Sequence, residues 1–470
     1  MVNIDRFQRN FLVMIFILAL LLGLVLSYHA NVQVWILVLP LLVLLVWRSN
    51  LITLLIIIFA VFFGDWFIEL NILPHQFMWV LEFFVVLLFA KALVNRLIRR
   101  RRVDFMGGWF IFGFLTVCFV SFYINSPGVL NLLLFLRLIL IAYLLMVAVS
   151  NLEISEKQKK ILLYVLLGLI IIQLPVAVVK MSIYGQGEQA IGTYAYQGGT
   201  QSTALPLIVI GFGLAFFLVY RKSLLFIGLV LGAIAFAIIG GKRGFIFFLP
   251  IVIIYVSWHM RNDIKNFFKY AAIAGGIFLL AFYFALSFVP TLSPSGELGT
   301  RFDPSYALSF ATDYTTKQED GLSWGRTSSN INVFKNLYAD GALSFLFGKG
   351  PGSAMKSRFE EADTRSKIME EFGVGYGITG IGMMAMNVGY LGYLFIFLVL
   401  FSIMRKSAIY YRKETNPFWR SFGLSMAVFS FVMIVIELIY APLLLLGLIP
   451  INYFLLSGIL FLKNRERQET

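Results

Sequence analysis

The sequence predicts an all-α polytopic membrane protein: a bundle of about fourteen transmembrane helices with a helical lid outside the membrane. Hydrophobic residues make up 60% of the 470 residues and charged residues only 13%, whereas soluble domains carry about 25% charged residues. The mean hydropathy is +0.87, and apolar runs of membrane-spanning length recur along most of the chain. A soluble protein is therefore excluded.

The apolar runs give the candidate spans, because only a helix satisfies all its backbone polar groups across a hydrocarbon core of about 30 Å. The runs are 11–27, 32–47, 51–64, 76–94, 105–123, 130–149, 160–182, 203–219, 223–240, 244–258, 270–288, 378–403, 419–440 and 441–462. They divide the chain into residues 1–289 with eleven spans, the lid at 290–377, and residues 378–470 with three spans. Some runs are short, so we expect about twelve to fourteen true spans.

The net charge of +14 follows membrane topology, because the basic residues are scattered between apolar runs and do not form one nucleic-acid-binding face. Lys and Arg in alternate connections put both termini in the cytoplasm by the positive-inside rule. Outside the lid, Arg137, Lys180, Lys242 and Arg243 break that pattern. These exceptions are the first candidates for function.

Arg137 lies about seven residues inside the sixth predicted span, roughly 10 Å below its end. A charge at this depth is costly and usually faces a cavity or an anionic partner. We therefore expect Arg137 to bind a ligand, with reach to the lipid headgroups as the alternative.

Lys242 and Arg243 lie in a tight turn between glycines, in the run Gly240-Gly241-Lys242-Arg243-Gly244. Glycine lets a ligand approach the backbone closely, and a guanidinium offers paired donors suited to phosphate. The pair is predicted to bind an anionic substrate, with anchoring to lipid headgroups as the alternative.

Two further Gly-rich segments are polar. Residues 191–203, which include Gly192 and Thr193, are suited to hydrogen bonding with sugar hydroxyls. Residues 347–353 contain Lys349, Gly350 and Gly352, but the spacing of a phosphate-binding P-loop is absent. Their glycines are predicted to turn the chain between two lid helices, with amides that could face a ligand.

Within the lid, Ile331, Phe334 and Tyr338 recur at helical spacing after Thr327 and Ser328 as capping residues. A second lid helix is predicted from Ala354 to Phe372. The carboxylates of Glu370 and Glu371 are candidate bases. None of the three histidines lies in the lid and Cys118 is the only cysteine, so neither a metal site nor a cofactor is predicted.

Five features in this order resemble the bacterial O-antigen polymerase and O-antigen ligase superfamily. They are Gly192-Thr193 before a span, Gly241-Lys242-Arg243-Gly244 between spans, a long outer loop with Gly325-Arg326, the segment Leu346-Phe347-Gly348-Lys349-Gly350-Pro351-Gly352, and Asn387-Val388-Gly389-Tyr390-Leu391-Gly392 at the return into the membrane. The resemblance covers roughly residues 190–400.

This resemblance implies a membrane-embedded glycosyltransferase of the GT-C type, which transfers a glycan from undecaprenyl diphosphate to an acceptor hydroxyl with inversion. It implies that Arg243 and Arg326 engage the diphosphate and that the loop glycines shape the site. The implied partners are the lipid-linked donor, a glycan acceptor and the bilayer, with a chain-length regulator and a flippase as further candidates. The implied location is the bacterial cytoplasmic membrane, with the chemistry on the outer face.

Ligases of this superfamily usually carry a histidine shortly before the membrane return, and residues 370–386 contain none. That difference favours a polymerase, which joins one lipid-linked glycan to another, over a ligase that transfers to lipid A core or another surface acceptor. It leaves the activating base unassigned. A lipid-linked oligosaccharide flippase is the alternative of a different class, although the two related halves with broken helices expected of a transporter are not visible.

Overall fold

The computed structural model describes residues 43–44, 46–70, 72, 77–187, 190–193, 201–220, 223–241, 244–259, 272, 275–276, 279, 305–306, 309, 312, 315–319, 322–323, 325–355, 367–375, 377–445 and 448–469. The predicted span 11–27 lies outside these residues, as do most of 32–47 and most of 270–288.

The described part of the chain is helical apart from one small hairpin. Its helices are α1 (Asn50–Glu69), α2 (Phe77–Ile98), α3 (Gly108–Asn125), α4 (Val129–Asn151), α5 (Glu156–Tyr184), α6 (Gln201–Ala215), α7 (Ser223–Ile239), α8 (Gly244–His259), α9 (Arg326–Ala339), α10 (Ala342–Phe347), α11 (Lys367–Glu371), α12 (Gly380–Lys413), α13 (Pro417–Ile439) and α14 (Leu448–Glu469). A π-helical turn, Phe216–Tyr220, continues α6, and a 3-10 turn, Leu443–Leu445, precedes α14. The hairpin strands β1 (Gln318–Glu319) and β2 (Leu322–Ser323) pair antiparallel before α9.

Seven of these helical segments are long and apolar enough to cross a membrane. They are Asn50–Glu69, Gly108–Asn125, Val129–Asn151, Glu156–Tyr184, Thr203–Tyr220, Gly380–Lys413 and Pro417–Ile439. Two shorter apolar helices, Gly228–Ile239 and Phe247–His259, accompany them. The chain is therefore a helical membrane protein, and the count of fourteen spans stays a prediction.

Helix α12 contains a break in its first half. Gly389 has a φ of 68° inside the helix, a conformation that disfavours any residue with a Cβ. The following residues resume the helix and pack along α3 and α13. The break lies in the predicted membrane return, beside the lid.

One end of the bundle, which we call the far end, joins helices α2, α4, α5, α13 and α14. Ser155 and Gln158 form a capping box at the start of α5, and Asn416 caps α13 ahead of Pro417. Lys463 of α14 donates to Glu156 of α5 at 2.9 Å. The connections at 99–102, 157–160 and 463–467, predicted to share one side of the membrane, meet here.

The opposite end, which we call the lid end, carries α9 and α10. Val333 and Leu337 of α9 are buried in a small core with Met369 and Phe372, so the lid has an ordered apolar interior. This core includes residues 385–386 of α12. The lid therefore packs directly on a membrane helix.

Two details of the predicted lid are wrong. Gly325 caps α9, while Thr327 and Ser328 lie inside its first turn. The second predicted helix, 354–372, is helical only over Lys367–Glu371 in its described part, because residues 354–355 belong to a turn that follows three glycines; residues 356–366 lie outside the description.

Candidate functional site

Arg326, the first residue of α9, lies against the last turn of α13. Its Nε donates to the carbonyl oxygen of Tyr440 at 2.6 Å, and its guanidinium carbon lies 4.0 Å from the centre of the Tyr440 ring. Carbonyls at a helix C-terminus lack partners within the helix and attract cations. Arg326 thus connects the lid to the end of a membrane span.

Tyr440 gathers several distant segments of the chain around its ring. Its hydroxyl accepts from Thr203 at the start of α6 at 3.2 Å, and its ring packs edge-on against Phe248 at 5.6 Å. A Cβ on Gly244 would lie 2.8 Å from the same ring. The glycine is therefore needed where α8 begins beside Tyr440.

Lys242 and Arg243 lie outside the described residues. Gly244, which follows Arg243 in the sequence, is one of the residues packed on Tyr440. Gly244 and Arg326, one from each of two predicted motifs, thus meet at the same tyrosine.

Glu437 is a carboxylate that the sequence reasoning missed. It lies one turn before Tyr440 in α13 and is only 1% exposed. Its Oε2 accepts from the amide of Leu444 at 2.9 Å, and among the described residues Oε1 has no hydrogen-bond partner. A buried acid with an unsatisfied oxygen in a membrane helix is costly. The signal was a single acidic residue in the apolar run 431–439.

The lid and the membrane return complete the junction around Glu437. Asn330, one turn after Arg326 on α9, accepts from the hydroxyl of Thr379 at 3.0 Å. The next residue, Gly380, faces Glu437 so closely that a Cβ would collide with the carboxylate. Helix α9, which begins at Arg326, is thus linked to Glu437 through the adjacent residues Thr379 and Gly380.

Gly192 and Thr193 are held in the bundle and do not line an open loop. The Thr193 hydroxyl donates to the Phe62 carbonyl at 2.5 Å and its amide donates to Gln173 Oε1 at 2.9 Å. Gly192 has a φ of 71°, and a Cβ there would lie 2.5 Å from the same Gln173 oxygen. Both residues are buried, so what the structure gives them is a packing role between α1 and α5.

The segment 346–352 packs on the break in α12. Lys349 donates its amide to the Met386 carbonyl at 2.8 Å, and a Cβ on Gly348 would lie 2.6 Å from the Gly389 amide nitrogen. The predicted turn after α10 is confirmed. Its glycines permit backbone-to-backbone contact, and the Lys349 amide is already used in that packing.

The side chain of Lys349 and the two other predicted residues, Gly350 and Gly352, also have neighbours within the protein. The Lys349 amine pairs with Asp340 at 2.7 Å. A Cβ on Gly350 would lie 2.8 Å from Pro127, and one on Gly352 would collide with the Asn131 carbonyl. Packing against the start of α4 therefore accounts for both glycines.

Arg137 pairs with a carboxylate inside the protein, and the prediction that it binds a ligand stays a prediction. Its Nε lies 3.0 Å from Glu82 Oε1 of α2. Glu370 and Glu371 lie on the exposed surface of the short helix α11. Glu437, by contrast, lies one turn from Tyr440.

No protein-family model matches this chain, and no curated protein is similar to it in sequence. In the described part of the chain, no group of three or more His, Cys, Asp or Glu side chains is arranged to hold a metal ion. The junction of Arg326, Tyr440 and Glu437 therefore stands as the candidate site on its own geometry.

Proposed function

We propose that this protein is a membrane-embedded inverting glycosyltransferase that polymerises glycan repeat units. Its donor is a glycan linked to undecaprenyl diphosphate, and its acceptor is the hydroxyl of a second lipid-linked glycan. The observation that carries the proposal is the meeting of Arg326 with Tyr440, one turn from the buried Glu437. This contact brings a cation near a buried acid at the lid end of the bundle.

Cations at this position suit a lipid diphosphate. The diphosphate of a polyprenyl lipid lies at the membrane surface, where the lid meets the ends of the spans. A fixed guanidinium stabilises the negative charge that develops on a leaving diphosphate without any reorganisation during the reaction. In the proposed site Arg326 supplies this charge together with Arg243.

Glu437 has the chemistry of the missing base. The acceptor hydroxyl oxygen forms a bond to the anomeric carbon while the bond from that carbon to the diphosphate oxygen breaks. The hydroxyl proton passes to the Glu437 carboxylate, and the lipid diphosphate leaves with the bonding electron pair. Oε2 is held by Leu444, so Oε1 is the oxygen that accepts the proton.

The location follows from the same proposal. We place the protein in the bacterial cytoplasmic membrane, with the far end and both termini in the cytoplasm and the lid end outside. The basic residues clustered at the far end support this orientation by the positive-inside rule.

The test uses cells that lack the chromosomal copy of this gene and carry a plasmid copy. Arg326→Ala is expected to lower polymer formation by about 100-fold, because removing one charge-stabilising donor typically costs that much. Arg326→Lys keeps the charge but not the planar donor pair, so its polymer formation is expected to lie between that of the wild type and that of Arg326→Ala. Lys367→Ala, which removes an exposed lid cation, is the matched control and leaves polymer unchanged.

Polymer length is read on gels, and the amount and melting temperature of each purified variant are measured in detergent, because Arg326 also caps α13. Unchanged polymer in Arg326→Ala would refute the proposal. A purified reaction then separates the alternatives: product on lipid A core or another surface molecule indicates a ligase. Movement of the lipid-linked glycan across liposomes without a new glycosidic bond indicates a flippase.

A further inference from the structure

The lid carries an exposed apolar face on α9 and α10. We call it the lid apolar face; it consists of Ile331, Phe334, Tyr338, Leu343 and Leu346. Tyr338 is 72% exposed and Leu343 is 59% exposed. The sequence pattern of 331, 334 and 338 correctly predicted a helix, yet its buried side is the one with Val333 and Leu337. Helix α9 therefore has apolar residues on two sides, and the side with Ile331, Phe334 and Tyr338 is exposed.

The lid apolar face is ordered by ring contacts. The rings of Phe334 and Tyr338 stack at 6.3 Å, and Phe345 packs edge-on against Phe334 at 5.4 Å. Phe345 in turn lies 4.7 Å from Tyr390 of α12. A continuous series of rings thus joins the exposed face of α9 to a membrane-spanning helix.

This series continues along the outside of the bundle. Leu394 lies one turn after Tyr390 on α12 and is 47% exposed, and Phe401 is exposed two turns further on. At the neighbouring end of α3, Asn125 donates to the Gly348 carbonyl at 3.2 Å, and Tyr123 is 87% exposed. The lid thus contacts α3 and α12, two helices that are long and apolar enough to cross a membrane and that carry exposed apolar residues near the lid.

We propose that the lid apolar face lies in the interfacial layer of the lipid leaflet at the lid end, so that the lid is anchored in the membrane. Tyr and other aromatic side chains favour this layer, where one end of the ring is apolar and the other is hydrated. The exposed Lys335 between Phe334 and Tyr338 suits the phosphates of lipid headgroups. A protein partner on this face would lie directly beside the candidate spans α3 and α12, which the lid contacts.

An anchored lid has a direct structural consequence. Helix α9 begins at Arg326 and carries the lid apolar face on its next turns, so insertion of that face fixes the depth of Arg326 relative to the lipid phosphates. The anchoring itself does not depend on the proposed glycosyltransferase activity.

The test measures the membrane depth of single spin labels. The full-length protein is reconstituted in vesicles of phosphatidylcholine and phosphatidylglycerol, with nitroxides on Phe334→Cys, Tyr338→Cys or Leu343→Cys. Cys118, the only native cysteine, is buried and is replaced by Ala; if that variant folds poorly, the unlabelled native thiol is retained and a mock-labelled wild type provides the background. Power saturation then compares collisions with oxygen, which concentrates in lipid, and with a water-soluble nickel chelate.

Two labels on the same protein calibrate the measurement. Tyr123→Cys at the end of α3 reports the membrane interface, and Glu371→Cys on the exposed surface of α11 reports water. The three lid labels are expected to give oxygen-to-nickel collision ratios within about twofold of the label at 123 and well above the label at 371. Ratios like that at 371 would overturn the proposal. So would protection from both collision partners, which would indicate that protein covers the face.

Discussion

Both ends of the helical bundle contain ion pairs, including Lys349 with Asp340 in the lid, but they differ in how their other acidic side chains are paired. At the far end, charged side chains pair with each other: Lys159 with Glu466, Lys463 with Glu156 and Arg99 with Glu153. At the lid end, the buried carboxylate of Glu437 keeps an oxygen without a hydrogen-bond partner among the described residues. An acidic side chain that is paired with its neighbours is explained by its contribution to the fold. A buried acid whose oxygen has no hydrogen-bond partner lowers the stability of the fold, so its presence suggests a functional role.

The backbone differs between the two ends as well. The far end uses ordinary helix caps at Ser155 and Asn416, while the lid end brings backbone against backbone at Gly348 and Gly389. Close approach of this kind leaves no room for side-chain adjustment. The comparison therefore predicts that the far end tolerates substitution and that the lid end does not.

The largest effect is expected for Glu437→Gln. Loss of a general base typically lowers a rate by about 100-fold to 10,000-fold, and the amide oxygen can still accept from Leu444, so the fold is expected to persist. Polymer formation in cells and melting in detergent are measured side by side.

Glu466→Gln is the matched control at the far end, where it removes the same charge from the pair with Lys159. We expect polymer formation within about twofold of the wild type. If Glu437→Gln and Glu466→Gln give equal amounts of polymer, the functional contrast between the two ends is wrong.

A smaller effect, on stability, is expected for Gly389→Ala. The substitution combines a positive φ of 68° with a Cβ that would collide with the Leu346 carbonyl, for an expected cost of about 3 kcal/mol. Gly168→Ala in α5 is the control, because a Cβ there meets nothing within 4 Å and Ala favours the helix by about 0.5–1 kcal/mol. The melting temperature in detergent should fall for the first variant and stay or rise for the second; equal shifts would show that the lid contact is not tight.

The smallest effect is expected for Lys159→Met at the far end. Met retains most of the buried stem of Lys159, and the carboxylates of Glu156 and Glu466 are partly exposed to water. The expected loss is about 1 kcal/mol or less and should shrink further in high salt. Melting at low and high salt checks it, and a loss as large as that of Gly389→Ala would remove the stability contrast between the ends.

Much of the membrane architecture was predictable from hydropathy because apolar length alone selects spanning helices. The predicted spans 130–149 and 419–440 correspond to the helices Val129–Asn151 and Pro417–Ile439. The ends of each helix differ from the predicted ends by at most about two residues, as is usual for helix boundaries. The lid was less predictable, since residues 354–355 still belong to the turn that follows the glycines, where a helix was predicted to begin at Ala354.

The site was only partly predictable. Arg326 was identified through motif resemblance, but its contact with Tyr440 joins residues far apart in the sequence, and no local pattern specifies that pairing. Glu437 is visible in the sequence as an isolated acid in an apolar run, but its burial and its place beside Tyr440 depend on tertiary packing. The prediction that Gly192 and Thr193 contact a ligand stays a prediction, and their packing against Gln173 depends on tertiary structure that composition does not reveal.

The contact between Gly348 and Gly389 also bears on how relatives of this protein are to be found. Each glycine occupies space that a side chain on the other segment would need, so the two positions constrain each other across the gap between lid and membrane return. A distant homologue could differ at almost every flanking residue and still retain both glycines. A search that requires this pair jointly, instead of scoring each short motif alone, is therefore the better way to detect one.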